Sequence, residues 1–219
     1  ISSVLFCPTE QAIKNLHQEG FKQFPCTLLN CGDVMQDAAL FYANKAKCPD
    51  FSLPEHFILA TLHRAENTDS PERLQSIIAA LEEIAREMPV VIPIHPRTRK
   101  KLQELNFNFK QPRLQLVDPV GYLEMVYLLK HCSLVATDSG GLQKEAYFFK
   151  KYCITLRTET EWVELVEQGA NIITGWRYED ILNSYKQLKH TTKDVFSSPL
   201  YGDGQAGHII IRELQRIDS

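Results

Sequence analysis

Residues 137–146 contain the side chains and glycines best suited to bind a ligand. The segment reads Thr-Asp-Ser-Gly-Gly-Leu-Gln-Lys-Glu-Ala and comes after a short apolar run that has the character of a buried strand. Gly140 and Gly141 let a ligand approach the backbone closely, and Asp138 and Ser139 are residue types that cap helices. Because the free N–H groups at a helix start attract anions, the segment predicts a strand, a tight turn and a helix start that can hold a diphosphate.

Glu145 lies one helical turn beyond these glycines. At that position a carboxylate can accept hydrogen bonds from both hydroxyls of a ribose, which would make the site one for a nucleotide. The plain alternative is an ordinary strand-to-helix turn, because short glycine turns are common in proteins. The residues at the ends of the other predicted strands decide between the two.

Polar clusters follow four of the predicted strands, including the one before residue 138, at the point where each apolar run ends. The clusters are His63-Arg64-Ala65-Glu66-Asn67, His95-Pro96-Arg97-Thr98, Asp138-Ser139-Gly140-Gly141 and Arg157-Thr158-Glu159-Thr160-Glu161-Trp162. Because ligands of parallel sheets bind outside the carboxyl ends of the strands, we expect the four clusters to face one crevice. Together they are hard to explain as solvated loops.

Each of these side chains also has a simpler explanation. His63 and His95 fit equally well as histidines that bond a backbone carbonyl. The arginines can be surface charges, although arginine beside glycine-rich backbone is also typical of phosphate binding. Trp162 at a helix start more often packs against its neighbours than stacks on a base. No two histidines or carboxylates are spaced as metal ligands near a third, so the sequence predicts no metal site.

Strands and helices alternate along the chain, which predicts an α/β fold with a doubly wound parallel sheet and right-handed crossovers. Strands are predicted at residues 1–6, 26–30, 57–62, 90–94, 114–117, 132–136, 152–156 and 171–174. Helices are predicted at about residues 8–18, 32–47, 71–87, 96–105, 121–130, 142–149, 161–168, 178–189 and 205–217. A proline-rich linker is predicted at 48–54, where no apolar period continues.

The composition is that of an ordinary globular protein. The 219 residues are 44% hydrophobic and 23% charged, and the net charge of -3 gives no reason to expect nucleic acid or an acidic membrane as partner. No apolar run approaches the roughly 20 residues of a membrane span, and no secretory signal pattern is present. The six cysteines are scattered without C-x-x-C pairs, which favours reduced thiols and a cytoplasmic location.

The same motifs resemble a known family. The four strand-end clusters, with Gln143-Lys144-Glu145-Ala146, Gly32-Asp33-Val34-Met35 and Tyr201-Gly202-Asp203-Gly204, are similar to the non-hydrolysing UDP-N-acetylglucosamine 2-epimerases. That family has two Rossmann-like domains of the glycosyltransferase-B type, with the nucleotide sugar in the cleft. The resemblance implies that residues 1–50 are the C-terminal part of the first domain, 51–198 the UDP-binding domain and 199–219 a helix that crosses back.

The resemblance also assigns roles by position. It implies that Ser139, Gly140 and Gly141 hold the diphosphate and that Glu145 holds the ribose. The other residues that it places against the substrate are the active-site histidine His95, the uracil-flanking pair Val120 and Met125, and the substrate-contacting Trp162. Arg64, Arg97 and Arg157 are further candidate substrate contacts, because arginine beside glycine-rich backbone is typical of phosphate binding.

The implied activity is inversion at C2 of a UDP-amino sugar by elimination and re-addition of UDP, without a cofactor. Val163 stands after Trp162 where many members have proline, which is more similar to the relatives that act on UDP-2,3-diacetamido-2,3-dideoxy-glucuronate. UDP-N-acetylglucosamine is the first choice, because it is the commoner substrate in the family. The acid and base carboxylates of the family lie in its first domain, ahead of the present residues. We therefore expect the chain to bind UDP but not to epimerise by itself.

Two other classes stay open. A glycosyltransferase of the same architecture would use a similar diphosphate and ribose site, and a non-catalytic sugar-nucleotide sensor would keep the helix start without the chemistry. The expected partner is a UDP-sugar, with no nucleic acid and no membrane, and a homodimer is expected for the full-length form.

Overall fold

The computed structural model describes residues 2–217, so Ile1 of the predicted first strand and the last two residues of the predicted 199–219 segment lie outside it. The chain divides into two compact units. The larger unit comprises residues 45–196, and the smaller one comprises the residues up to 44 together with those from 197 onward.

Strands and helices alternate throughout the described range. The strands are β1 (Val4–Cys7), β2 (Thr27–Asn30), β3 (Ile58–Thr61), β4 (Val90–Pro93), β5 (Leu114–Val117), β6 (Leu134–Thr137), β7 (Cys153–Thr155) and β8 (Asn171–Ile173). The helices are α1 (Glu10–Gln18), α2 (Val34–Ala43), α3 (Ala65–Thr68), α4 (Pro71–Ala85), α5 (Pro96–Glu104), α6 (Tyr122–His131), α7 (Gly140–Phe148), α8 (Val163–Glu167), α9 (Tyr178–Lys189) and α10 (Ala206–Ile217). A short 3-10 helix spans Phe21–Gln23.

The larger unit is built on a parallel sheet with strand order β5-β4-β3-β6-β7-β8. The chain starts in the middle of the sheet, adds strands outward to β5, returns to β6 beside β3, and adds strands outward again. This order is that of a doubly wound Rossmann sheet. The predicted fold class is confirmed.

The sheet is covered on both faces, which explains why its central strands are continuous apolar runs. All four residues of β3 and all four of β6 are buried. Alternate strand residues point to opposite faces, so Ile58 packs in one core and Leu59 in the other. The first core is completed mainly by α4 and α9, and the second by α6 and α7.

The smaller unit contains the parallel pair β1 and β2 with α1, α2 and α10. Gly32 has φ +83, and a Cβ there would lie 2.9 Å from the carbonyl oxygen of Tyr201. That carbonyl accepts a hydrogen bond from Asp33 N at 2.8 Å, and Asp37 accepts bonds from Ala206 N and Gly207 N at the start of α10. These contacts join the motifs at residues 32–35 and 201–204. The assignment of this unit to a first Rossmann-like domain stays a prediction.

Several predicted helices differ from the structure at one end or at both, for example α2 and α8. The helix predicted to run to about residue 47 ends at Ala43, and Lys47 N instead donates to Leu123 O at 3.1 Å in the larger unit. The helix predicted from about residue 161 begins at Val163, because the preceding side chains are bonded outside it: Glu161 to Arg157 and Thr160 to Gln143 of α7. The short helix α3 was not predicted, since its four residues are too few to carry a hydrophobic period.

Candidate functional site

The candidate site lies at the carboxyl ends of β3 and β6, where the direction of strand addition reverses. In open α/β sheets this switch point leaves a crevice in which ligands bind. A cavity of about 330 Å³ occupies this position. Its walls are formed by Thr61, Leu62, His63, Pro93, His95, Pro119, Val120, Met125, Ser139, Gly141, Leu142 and Glu145.

The N-terminus of α7 forms one wall of the cavity. Ser139 caps the helix, because its Oγ accepts a hydrogen bond from Leu142 N at 3.4 Å. Ser139 N donates in turn to Thr137 Oγ1 at 2.9 Å, which fixes the turn between β6 and α7. The N–H groups of Gly140 and Gly141 belong to the first helical turn, where no intrahelical acceptor exists. The wall therefore presents N–H donors and the positive end of a helix dipole.

Asp138 has a different role from the helix cap that the sequence suggested, because the cap is provided by Ser139 alone. The Asp138 side chain is fully buried and turns toward the loop after β3. It accepts hydrogen bonds from His63 N at 3.1 and 3.2 Å, from Arg64 N at 2.9 Å and from Asn67 Nδ2 at 3.3 Å. One carboxylate therefore fixes the whole turn after the neighbouring strand.

His63 is held by the same carboxylate. Its Nδ1 lies 3.2 Å from Asp138 Oδ1, and its side chain is 47% exposed where it lines the cavity. The hydrogen bond to Asp138 raises the pKa of His63, although burial and the charge of Arg64 act in the opposite direction. The sequence singled out His95 as the active-site histidine and left His63 undecided. His63 contacts Asp138 because β3 lies beside β6 in the sheet, and this adjacency cannot be read from the chain order.

His95 also lines the cavity, and it caps α5. Its Nδ1 accepts a hydrogen bond from Arg97 N at 3.2 Å. A neutral His95 ring bonded in this way carries its proton on Nε2, which can donate to a ligand. The side chain of Arg97 pairs with Asp69 at 2.5 Å and is not among the residues that line the cavity.

The predicted ribose and uracil contacts are brought to the same cavity. Glu145 is half-buried in α7, and burial raises the pKa of its carboxyl, while a hydrogen bond from Tyr122 and the charge of Lys144 act to lower it. Val120 and Met125 contribute apolar lining. A carboxylate beside an apolar wall suits a nucleoside, because the sugar hydroxyls need a hydrogen-bond acceptor and the base needs an apolar surface.

A charged cluster borders the start of α7. The side chain of Arg157 is 4% exposed and bonds Glu161 through Nη1 at 2.9 Å and Nη2 at 3.1 Å. Glu66 and Glu159 lie 3.6 and 3.9 Å from the same guanidinium, and Arg64 lies 3.9 Å from Glu161. The hydrogen bond from Arg157 lowers the pKa of Glu161. Arg157 thus ties the loop after β7 to the loop after β3.

Trp162 supports the first residue of α7. Its indole Nε1 donates to the carbonyl oxygen of Gly140 at 2.8 Å, and Lys144 Nζ lies 4.2 Å from the ring centroid. A Cβ at Gly140 would lie 3.6 Å from the same Nε1 and 3.4 Å from Glu161 Oε2, which is ordinary contact. Trp162 therefore contacts the helix start itself, and the substrate contact that the family resemblance implies for it stays a prediction.

Other kinds of site find no support among residues 2–217. That range contains no group of three or more histidine, cysteine, aspartate or glutamate side chains that could hold a metal ion. It also contains no helix long and apolar enough to cross a bilayer. All six cysteines are free, and burial raises the pKa of Cys132 and Cys153 to about 12, so these thiols stay protonated.

Comparison with known proteins decides the family. A family model described as UDP-N-acetylglucosamine 2-epimerase matches residues 1–215. The chain belongs to this family. The resemblance noted from the sequence motifs is therefore confirmed.

Members of the UDP-N-acetylglucosamine 2-epimerase family are similar to this chain in both sequence and structure. A UDP-2,3-diacetamido-2,3-dideoxy-D-glucuronate 2-epimerase of Pseudomonas aeruginosa is 50% identical over 99% of this chain. The UDP-GlcNAc 2-epimerase of Methanocaldococcus jannaschii, solved with UDP-GlcNAc and UDP, has a TM-score of 0.86 at 37% identity over 98% of this chain. The enzyme of Neisseria meningitidis, solved with UDP-GlcNAc, has a TM-score of 0.83 at 29% identity over 98% of this chain.

The alignments cover nearly all of this chain but only part of each relative. The chain spans 61% of the Pseudomonas protein and of the Methanocaldococcus structure, and 62% of the Neisseria structure.

Proposed function

We propose that this protein is a UDP-sugar 2-epimerase in which residues 45–196 hold the UDP portion of the substrate. The observation that carries the proposal is the cavity at the switch point, which combines helix N–H donors, a carboxylate and an apolar wall. Membership of the family supports the same reaction class.

The proposed pose is based on the chemistry of the walls. The diphosphate lies against the N–H groups of Gly140 and Gly141 with the hydroxyl of Ser139, because these are the donors at the positive end of α7. The ribose hydroxyls donate to Glu145, one turn further along the helix. Uracil lies between Val120 and Met125, the pair that the resemblance to the family implies for it.

The arginines have different roles in this proposal. Arg64 is proposed as a phosphate contact, because its side chain is 38% exposed and its contact with Glu161 is long at 3.9 Å. Arg157 is proposed to hold the loops around the diphosphate, because its guanidinium is already bonded to glutamates. Arg97 is proposed to act only at the rim, through its pair with Asp69.

The reaction places a demand on the diphosphate clamp. C2 of the sugar carries a weakly acidic hydrogen, so direct exchange of that proton is slow. When the C2 proton is removed, the C1–O bond breaks, its electron pair leaves with UDP and a C1–C2 double bond forms. Addition of UDP to C1 with a proton delivered to the opposite face of C2 gives the epimer. The clamp must hold the charge that develops on the leaving phosphate, and N–H donors at a helix start can do so.

His63 and His95 are proposed to donate hydrogen bonds to the leaving phosphate. Nε2 of His95 can donate a hydrogen bond when the ring is neutral, because Nδ1 is occupied as an acceptor. His63 with its raised pKa can donate from Nε2 when the ring is protonated. Proton donors of this kind assist departure of a charged leaving group.

One observation favours the diacetamido-glucuronate as substrate over UDP-N-acetylglucosamine. The Pseudomonas protein is 50% identical to this chain, whereas the Methanocaldococcus structure is 37% identical. We therefore propose UDP-2,3-diacetamido-2,3-dideoxy-glucuronate as the preferred sugar nucleotide, with UDP-N-acetylglucosamine as the second candidate. A homodimer and a cytoplasmic location stay predictions.

Calorimetry and NMR test the proposal in two steps. Titration with UDP and with both sugar nucleotides measures binding, and ADP serves as the control for recognition of the base. Incubation with either sugar nucleotide in heavy water then tests the expectation that these residues bind the substrate without epimerising it by themselves, because epimerisation would place deuterium at C2. Transfer of the sugar to an acceptor would instead indicate a glycosyltransferase. Absence of UDP binding by the folded protein would overturn the proposal.

A further inference from the structure

The buried carboxylate of Asp138 joins three strand ends and has no direct access to the cavity. It comes directly after β6 and accepts hydrogen bonds from the turn after β3. Asn67 of that turn also donates to Leu156 O at 2.9 Å, directly after β7. Because the Asp138 side chain is fully buried, it does not meet a ligand itself. Its bonds to the backbone alone would make it a structural residue.

One of its contacts goes beyond structural support. Asp138 Oδ1 lies 3.2 Å from Nδ1 of His63, whose half-exposed ring lines the cavity. Within residues 2–217, Nδ1 is the His63 ring nitrogen that has a protein partner. A carboxylate bonded to Nδ1 fixes both the ring orientation and the position of the proton. Nε2, the other ring nitrogen, is thereby left for a ligand.

We propose that Asp138 is the positioning residue of this site. Its carboxylate bonds Nδ1 of His63 and thereby orients Nε2 to contact the diphosphate of a UDP-sugar. The proposal rests on the proposed function, since it names the group that the diphosphate meets. It assigns to Asp138 a role in UDP recognition that a helix cap or a buried structural carboxylate would not have.

The arrangement has a consequence for the charge of the site. The hydrogen bond from Nδ1 to the carboxylate stabilises the imidazolium, which agrees with the raised pKa of His63. Asp138 and Arg64 are the charged groups beside His63, and His95 and Glu145 line the cavity with it. A protonated His63 adds a charge-assisted hydrogen bond to the diphosphate. UDP binding therefore weakens as pH rises through the pKa of His63.

The first experiment observes His63 directly in the wild-type protein. Imidazole ¹⁵N chemical shifts are recorded over a pH titration, with the His63 signals assigned by a His63→Gln variant. We expect the proton on Nδ1 in the neutral ring and a pKa above the ordinary histidine value. A neutral ring with its proton on Nε2 would overturn the proposal, and no substitution at Asp138 is needed for this result.

The second experiment compares Asp138→Asn with Asn67→Ala. In Asp138→Asn the amide is neutral, so the pKa of His63 falls and UDP affinity near neutral pH drops about tenfold. Asn67→Ala removes another bond to the same carboxylate and should lower thermal stability without moving the pKa of His63. Circular dichroism checks that both variants are folded.

A double-mutant cycle separates positioning from general damage. In a His63→Gln background, Asp138→Asn should cost less than twofold in UDP affinity, because the group that it positions is gone. An equal loss of affinity in both backgrounds would overturn the proposal. Absence of UDP binding by the wild type would overturn the proposed function, while the NMR titration would still report separately whether Asp138 holds His63.

Discussion

Replacement of Ser139 by aspartate separates the stability of α7 from its proposed function as a diphosphate clamp. Serine and aspartate are equally good helix caps, so Ser139→Asp should keep the bond from Leu142 N that Ser139 Oγ now accepts at 3.4 Å. Aspartate also places a negative charge at the positive end of the helix dipole. We therefore expect the free energy of unfolding to change by less than about 0.5 kcal/mol, or to increase slightly.

The same substitution places a carboxylate next to the proposed diphosphate. A phosphate against the N–H groups of Gly140 and Gly141 would lie roughly 4 Å from the new charge. Repulsion between two unit charges at that distance is about 1 kcal/mol in water and about 4 kcal/mol at the effective dielectric constant of a protein surface. For the half-exposed Ser139 position we expect about 2 kcal/mol, which corresponds to roughly 30-fold weaker UDP binding.

Isothermal titration calorimetry with UDP and with uridine measures this effect. Uridine lacks phosphate, so its affinity should be unchanged by Ser139→Asp. Ser70→Asp is the matched control, because Ser70 caps α4 with an equally long bond of 3.4 Å to Arg73 N and does not line the cavity. The proposed clamp is refuted if Ser139→Asp binds UDP as tightly as the wild type, or if uridine weakens as much as UDP.

The neighbouring side chains give three further predictions. Glu145→Gln should weaken UDP binding about 10- to 100-fold and remove the preference for UDP over its 2'-deoxy form in competition titrations. Burial raises the pKa of Glu145, so the wild-type protein loses stability as pH rises from 4.5 through the raised pKa. The variant should therefore be at least as stable as the wild type at neutral pH. Asp138 raises the pKa of His63, so the stability lost in His63→Gln should be largest below pH 6.5 and disappear as pH rises through the raised value, which denaturant unfolding at several pH values checks. Trp162→Phe removes the hydrogen bond to Gly140 O and should lower the free energy of unfolding by about 0.5–1.5 kcal/mol, measured by urea denaturation; an unchanged midpoint would contradict the support of α7 by Trp162.

The features that depend on local sequence were predictable. The bounds of β5 at Leu114–Val117 and of α9 at Tyr178–Lys189 agree with the prediction, because each apolar pattern ends abruptly. Glu145 could be placed on the same helix face as the glycines at the start of α7, since three to four residues of helix bring a side chain back to the same face. The cluster of polar residues at one end of the sheet could be inferred from the parallel topology.

The features that depend on strand order were not predictable. Asp138 and His63 are 75 residues apart, and they meet only because β6 lies beside β3. Asp138 in the sequence has the pattern of a helix cap, and nothing local distinguishes it from Ser139. The hydrogen bond from Trp162 to Gly140 was not predicted for the same reason, because the two residues are 22 positions apart in the chain.

A crystal structure of the protein with bound UDP tests the proposed diphosphate site most directly. We expect the phosphate oxygens to lie within hydrogen-bonding distance of Gly140 N and Gly141 N, with the ribose hydroxyls on Glu145. UDP bound at another place, with no phosphate against the N-terminus of α7, would contradict the proposed site.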